Sequence, residues 1–204
     1  MYPIPPHLNH MGSDINRGLL EFGEGKPLGK DGLFWLKVHL ANKIGKDKLP
    51  IKDRAVYAES IMETVHRCAE DPKNNLEWLE SENAWQSLAV MIDLSNAMKH
   101  PNPEEYVSYS HVHVDGSCNG MQHYAALGRD DRGARQVNLA ESERPGDVYT
   151  AILKLVIAQI ENETDPMSIE VAEGLKGNVT RKVIKQTVMT SVYGVTFIGA
   201  RKQI

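Results

Sequence analysis

Apolar residues recur at helical spacing through much of the chain. From Asp31, Leu33, Leu36, Val38, Leu40 and Ala41 are interleaved with Lys37, His39 and Asn42, which predicts an amphipathic helix. Residues 54–70 read as a second helix, with Val56, Ile61, Met62, Val65 and Cys68 inward, ended by Asp71-Pro72. A third runs from Ala84 to Met98, where Trp85, Leu88, Ala89, Met91, Ile92, Leu94 and Ala97 crowd one broad face. A fourth covers residues 146–163 through Val148, Ile152, Leu155, Val156 and Ile160. Asp14 can cap a short helix through Leu20 and Phe22. The glycines of residues 23–29 match no phosphate-binding fingerprint and read as a connector.

The period changes at residues 111–115. Val112 and Val114 alternate with His111, His113 and Asp115 as in a half-buried strand, and Gly116 and Ser117 break the alternation with a turn and a possible N-cap. Met121, Tyr124, Ala125 and Gly128 then return to helical spacing. A carboxylate where a strand meets a turn suits a hard cation, since turn carbonyls can share its coordination; on spacing alone an Asp-Gly pair that merely caps the turn is the commoner arrangement. Arg129 to Gly133 reads as a charged, hairpin-like loop with Asp130 and Asp131 facing solvent, and Gln136 to Leu139 as a short extended piece. These patterns give an α+β, predominantly helical class, with a helical first half leading into a sheet element.

Composition narrows the picture. With 41% hydrophobic and 25% charged residues the chain reads as globular, and no apolar run approaches a membrane span. Cys68 and Cys118 have neither disulfide-framework nor zinc-site spacing. The net charge of −4 conceals an asymmetry: Glu141 to Glu173 holds eight acidic and two basic residues, whereas Leu175 to Ile204 holds six basic residues and no acidic one.

That basic end contains Arg181 to Gly194, read as a helix with Thr180 at its N-cap and a glycine stop. Arg181, Lys185, Met189 and Tyr193 are four apart and share a face, spanning about 18 Å. Two cations one turn apart can hold a polyphosphate, arginine as a fork and lysine as a point charge, with the aromatic placed for a sugar or base. An ordinary solvated basic face with a buried tyrosine is the alternative; the absence of a compensating acid on the helix weighs against it.

The stretch Asp115-Gly116-Ser117-Cys118-Asn119-Gly120-Met121-Gln122-His123-Tyr124, continuing to Asp130, and the stretch Arg181 to Gly194 together resemble two motifs of the single-subunit, bacteriophage-type RNA polymerases, especially the mitochondrial branch. Tyr2-Pro3, Pro6 to Gly12, Trp35 to His39, Val137 to Leu139 and Asp147 to Tyr149 also fit the family pattern. The resemblance implies a partial right-hand polymerase fold, with residues 1–143 in the palm and 144–204 beginning the fingers. It implies that Asp115 is one of two aspartates binding catalytic Mg2+, with the Gly116 carbonyl a further ligand. Arg181 and Lys185 would contact the incoming triphosphate, with Lys185 also catalytic, and Tyr193 would favour ribonucleotides. Lys37 and Tyr149 match positions near the nucleotide.

The implied activity is transcription of organellar DNA by two-metal nucleotidyl transfer. Its partners would be a DNA template, an RNA product, ribonucleoside triphosphates and mitochondrial transcription factors, with no membrane. The location would be mitochondrial, with a plastid relative possible. The family's second aspartate lies in a later His-Asp-Ser motif that does not occur here, so the chain reads as an internal fragment, inactive alone. Two other readings stay open. One is a non-catalytic nucleic-acid-binding module using the basic end; the other is a metal hydrolase using His111, His113 and Asp115.

Overall fold

A computed structural model describes residues 4–114 and 116–203, and divides the chain into two compact units, Met1–Val114 and Asp115–Ile204. Asp115, on which the metal reading turns, lies outside the described residues, as does Tyr2-Pro3 of the family pattern.

The first unit contains α1 (Asp14–Gly18), β1 (Lys26–Pro27), α2 (Gly29–Ile44), α3 (Ile51–Ser60), α4 (Met62–Glu70), a 3₁₀ turn at Glu77–Glu80, α5 (Ala84–Lys99) and β2 (Val107–Ser108). Leu36 and Leu40 of α2 meet Val65 and Cys68 of α4 and Leu88, Met91, Leu94 and Ala97 of α5 in one core, closed by Trp78. The predicted helix over residues 54–70 is two helices. Ile61, at φ −108° and ψ 12°, leaves the helical basin and starts α4 in a new register that carries Val65 and Cys68 inward. Asp14 does not cap its own helix. It is the first residue of α1, and its carboxylate accepts the Trp85 amide at 2.8 Å and the Gln86 side chain at 3.0 Å, capping α5 from 71 residues away.

The strand expected over residues 111–115 does not form over 111–114, the part of it among the described residues. Pairing occurs earlier, Lys26 with Ser108 and Pro27 with Val107, in an antiparallel two-stranded sheet. Among the described residues, β1 is the one partner available to β2 and is two residues long, so the ladder ends before His111. Val112 and Val114 are accordingly 59% and 92% exposed, and their alternation with polar residues marks no half-buried face.

The second unit contains α6 (Asn119–Gly128), α7 (Asp131–Gln136), α8 (Val148–Glu161), α9 (Ile169–Leu175), α10 (Arg181–Ser191) and α11 (Phe197–Arg201). Its core is small: Ala125, Val137, Val148 and Tyr149 are buried, with Cys118, Met121, Ile152 and Val188 packed around them. The hairpin-like loop expected at residues 129–133 is mostly helix. The Asp130 carboxylate accepts the Arg132 amide at 3.1 Å and so starts α7, whose last turn takes up part of the piece expected to be extended. The short α9, in the acidic stretch, has no counterpart among the predicted elements.

Both cysteines are free, and burial raises each thiol's pKa. Among the described residues no helix is long and apolar enough to cross a membrane.

Candidate nucleotide and metal site

α10 begins where Thr180 turns from extended backbone into Arg181, although the threonine side chain makes no capping hydrogen bond. The basic helix does have a compensating acid, supplied by α8. Arg181 donates from Nε to Asp147 Oδ2 at 2.7 Å and from Nη2 to Oδ1 at 3.2 Å, a two-pronged pair. Asp147 is also the N-cap of α8: it accepts the Thr150 amide at 3.3 Å and the Thr150 hydroxyl at 2.9 Å. One carboxylate thus joins the N-terminal ends of two helices. Burial pushes its pKa up, but the hydrogen bonds from Arg181 and Thr150 outweigh that and hold it at about 2.

Tyr149 lies beneath this pair. The residue is 7% exposed, with the Arg181 guanidinium 5.5 Å and the Lys185 ammonium 5.9 Å from the ring centroid. The structure therefore brings together Arg181, Lys185 and Tyr149, three residues proposed from sequence, and adds Asp147, which sequence reasoning quoted without a role. The available signal was Asp147 ahead of an apolar helical run with Thr150 three residues on, a capping spacing. Two cations beside two helix N-termini are a setting in which an anion can bind.

Tyr193 lies beyond the end of the helix expected to carry it. α10 ends at Ser191, and Val195 turns back to donate to Thr190 O at 3.1 Å while Gly194 adopts φ 78°, so glycine stops the helix as expected. Tyr193 sits in that closing turn and is 73% exposed, not buried. Lys37 belongs to the first unit, where its ammonium meets Glu59 at 2.7 Å and its side chain is 14% exposed.

Gly116 opens the turn that follows Asp115. A Cβ there would collide with Asn119 Oδ1 and stand 2.8 Å from Gln122 Oε1. Gln122 donates from Nε2 to the Val137 carbonyl at 2.7 Å, which leaves its oxygen for the Gly116 side. The N-cap of α6 is Cys118 rather than Ser117, and it makes no side-chain cap. Those oxygens stand where a side chain at Gly116 would be, and oxygen is the ligand type a hard cation takes. Among the described residues, no group of three or more His, Cys, Asp or Glu side chains could hold a metal ion. His111 and His113 stand 4.6 Å apart between ring centroids, edge to face, and the zinc reading gains no ligand set from them.

A family model described as DNA-dependent RNA polymerase matches residues 26–204. The whole chain is 52% identical to a stretch of the mitochondrial DNA-directed RNA polymerase of Neurospora crassa, covering 14% of that protein. It is 52% identical to mitochondrial DNA-directed RNA polymerase 1 of Arabidopsis thaliana, covering 22% of it, and 49% identical to the human mitochondrial enzyme, covering 17%. The chain thus spans less than a quarter of the length of these relatives.

Proposed function

Because the chain belongs to the DNA-dependent RNA polymerase family, we propose that it forms part of the nucleotide-addition centre of an organellar, single-subunit RNA polymerase. The observation that carries this is the cluster at the start of α10, where Arg181 and Lys185 converge over Tyr149 and Asp147 clamps the arginine. In this reading residues 1–143 belong to the palm and 144–204 begin the fingers. The substrates are ribonucleoside triphosphates, the template is DNA and the product RNA. The site is mitochondrial, as the names of the Neurospora and human relatives support, and a plastid form accords with an Arabidopsis relative named chloroplastic/mitochondrial. Mitochondrial transcription factors complete the set of partners.

The reaction joins the RNA 3′-hydroxyl oxygen to the α-phosphorus and releases pyrophosphate. Arg181 binds the leaving phosphates as a fork and Lys185 as a point charge, so both offset charge that grows as the bond to the α-phosphate breaks. To do so Arg181 exchanges one anionic partner, Asp147, for another. The Asp115 carboxylate and the Gly116 carbonyl would hold Mg2+ together with the family's second aspartate. Bound there, the metal would activate the hydroxyl and stabilise the pyrophosphate oxygens. Tyr193, exposed beyond the end of α10, contacts the ribose, and Tyr149 lines the approach to the nucleotide; Lys37 takes its role near the nucleotide from its family position alone.

The test is a graft in which this chain replaces the matching residues of the Neurospora crassa polymerase. Asp115→Asn in the graft abolishes RNA synthesis and leaves template binding intact; retained synthesis overturns the assignment. Tyr193→Phe raises incorporation of deoxyribonucleotides relative to ribonucleotides, and unchanged discrimination removes the role given to that residue.

A further inference from the structure

Asn138 follows α7 in the left-handed region, at φ 61°, a conformation that Asn and Gly tolerate better than other residues. Its carboxamide is used at both ends. Oδ1 accepts the Gly146 amide at 2.6 Å, and Nδ2 donates to the Gly146 carbonyl at 3.1 Å and to Ser117 Oγ at 2.8 Å. The side chain thus pairs with Gly146 as another peptide group would, and spends its remaining proton on the turn at residues 116–117. Gly146 can come this close because it lacks a side chain: a Cβ there would stand 2.6 Å from the Arg135 carbonyl oxygen and 2.9 Å from that of Gln136.

The two ends of this bridge are significant. Ser117 adjoins Gly116, and Gly146 adjoins Asp147, the carboxylate that holds Arg181. We propose that Asn138 is a positioning residue that fixes the turn at Gly116–Ser117 against the Asp147–Arg181 pair that receives the triphosphate. Asn is the residue type the position needs. Asp would keep the acceptor for the Gly146 amide and lose both donations, while Gln would place its carboxamide one methylene too far. Gly would keep the backbone conformation and lose the bridge. The inference rests on the functional reading above, because it assigns Asn138 to the geometry of that same site.

The test uses Asn138→Gly, which leaves the left-handed backbone unstrained. In the 204-residue chain without metal, hydrogen exchange followed by NMR is expected to speed up at least tenfold at the Gly146 amide, with amides in the middle of α8 unchanged. In the graft polymerase, the Mg2+ concentration for half-maximal rate is expected to rise at least threefold and the rate per titrated active site to fall at least tenfold. Ser117→Ala, which removes one of the three hydrogen bonds at an exposed position, shifts the Mg2+ dependence in the same direction by a smaller factor and serves if Asn138→Gly does not fold. Wild-type Mg2+ dependence in whichever variant folds, or unchanged Gly146 exchange in Asn138→Gly, overturns the proposal. Synthesis retained in Asp115→Asn would instead sink the functional reading; a dead Asp115→Asn beside a wild-type Asn138→Gly sinks this inference alone.

Discussion

The helices of the two units resemble one another in sequence pattern and differ in what their apolar faces meet. α5 buries Leu88, Met91, Leu94 and Ala97 along its length against α2 and α4, and Leu94 has no exposed surface. α8 carries a comparable stripe but buries only Val148 and Tyr149 at its first turn, while Leu155 is 71% exposed. In the first unit packing secures whole helices. In the second it converges on the start of α8, under the Arg181 guanidinium, and polar bridges through Asp147 and Asn138 hold what the core does not. Hydrophobic periodicity therefore reports a helix in both units, but a face buried along its length in only one.

The largest effect that tests this contrast is a pair of leucine truncations. Leu94→Ala should cost about 2–5 kcal/mol, because it leaves a cavity among fixed neighbours. Leu155→Ala should change stability by no more than about 0.5 kcal/mol. All three tryptophans, Trp35, Trp78 and Trp85, lie in the first unit, so their fluorescence in a urea titration isolates its transition for Leu94→Ala, while exchange of α8 amides reads Leu155→Ala in the second unit. Equal losses in the two variants would break the comparison.

Acid should then separate the units. His39 faces Lys43, His111, His113 and Asp93; burial first, and then the three basic neighbours, lower its pKa from 6.5 to about 4 against the pull of Asp93. The unfolded chain thus takes up this proton at higher pH than the folded one. The stability involved is complete above pH 6.5 and is lost as pH falls toward 4, about 3 kcal/mol in all. Tryptophan fluorescence should show the midpoint urea concentration of the first unit dropping across that window, and His39→Gln should flatten the drop.

How much of this was legible in sequence depended on the range of the interactions. α2, α5, α8 and α10 could be read because their apolar spacing and terminators are local. The glycine stop at Gly194 is of that kind. The residues flanking Asp115 could not be read correctly: alternation around Val112 and Val114 looks like a strand, but whether a strand forms depends on a partner, and β1 pairs with Val107–Ser108 instead. The split at Ile61 was hidden because Ile continues the helical pattern while its backbone leaves it. In the site, residue type and spacing gave the face shared by Arg181 and Lys185. The acid that Arg181 binds lies 34 residues away, and no spacing on α10 could announce it. Asn138 was equally silent, since its value lies in a positive φ and in bonds to Ser117 and Gly146.

The second unit should respond at lower pH. Asp147 has its pKa lowered from 3.8 to about 2, so its contribution is complete above pH 3.8 and is lost as pH falls toward 2. Because the pair is partly exposed, at 42% for the Arg181 side chain and 24% for that of Asp147, screening limits the effect to about 1–2 kcal/mol. Amide exchange at Thr150 and along the first turn of α8 should accelerate in that range. Asp147→Asn should show the faster exchange already at neutral pH.

The smallest effect concerns Asp14, and it sharpens the contrast by showing a polar bridge in the well-packed unit. Its carboxylate accepts the Trp85 amide at 2.8 Å, an N-cap supplied by a residue distant in sequence. Asp14→Ala should cost about 1 kcal/mol, the usual worth of a cap. Asp14→Asn should cost less, since the amide oxygen can still accept. Packing along the rest of α5 limits the damage, so exchange should rise at the Trp85 and Gln86 amides while Leu94 stays protected. Asp147→Asn should propagate further along α8, because the residues beyond its first turn have less buried surface to hold them. If loosening spreads equally far along both helices, core packing does not confine it, and the difference between the units is one of exposure alone.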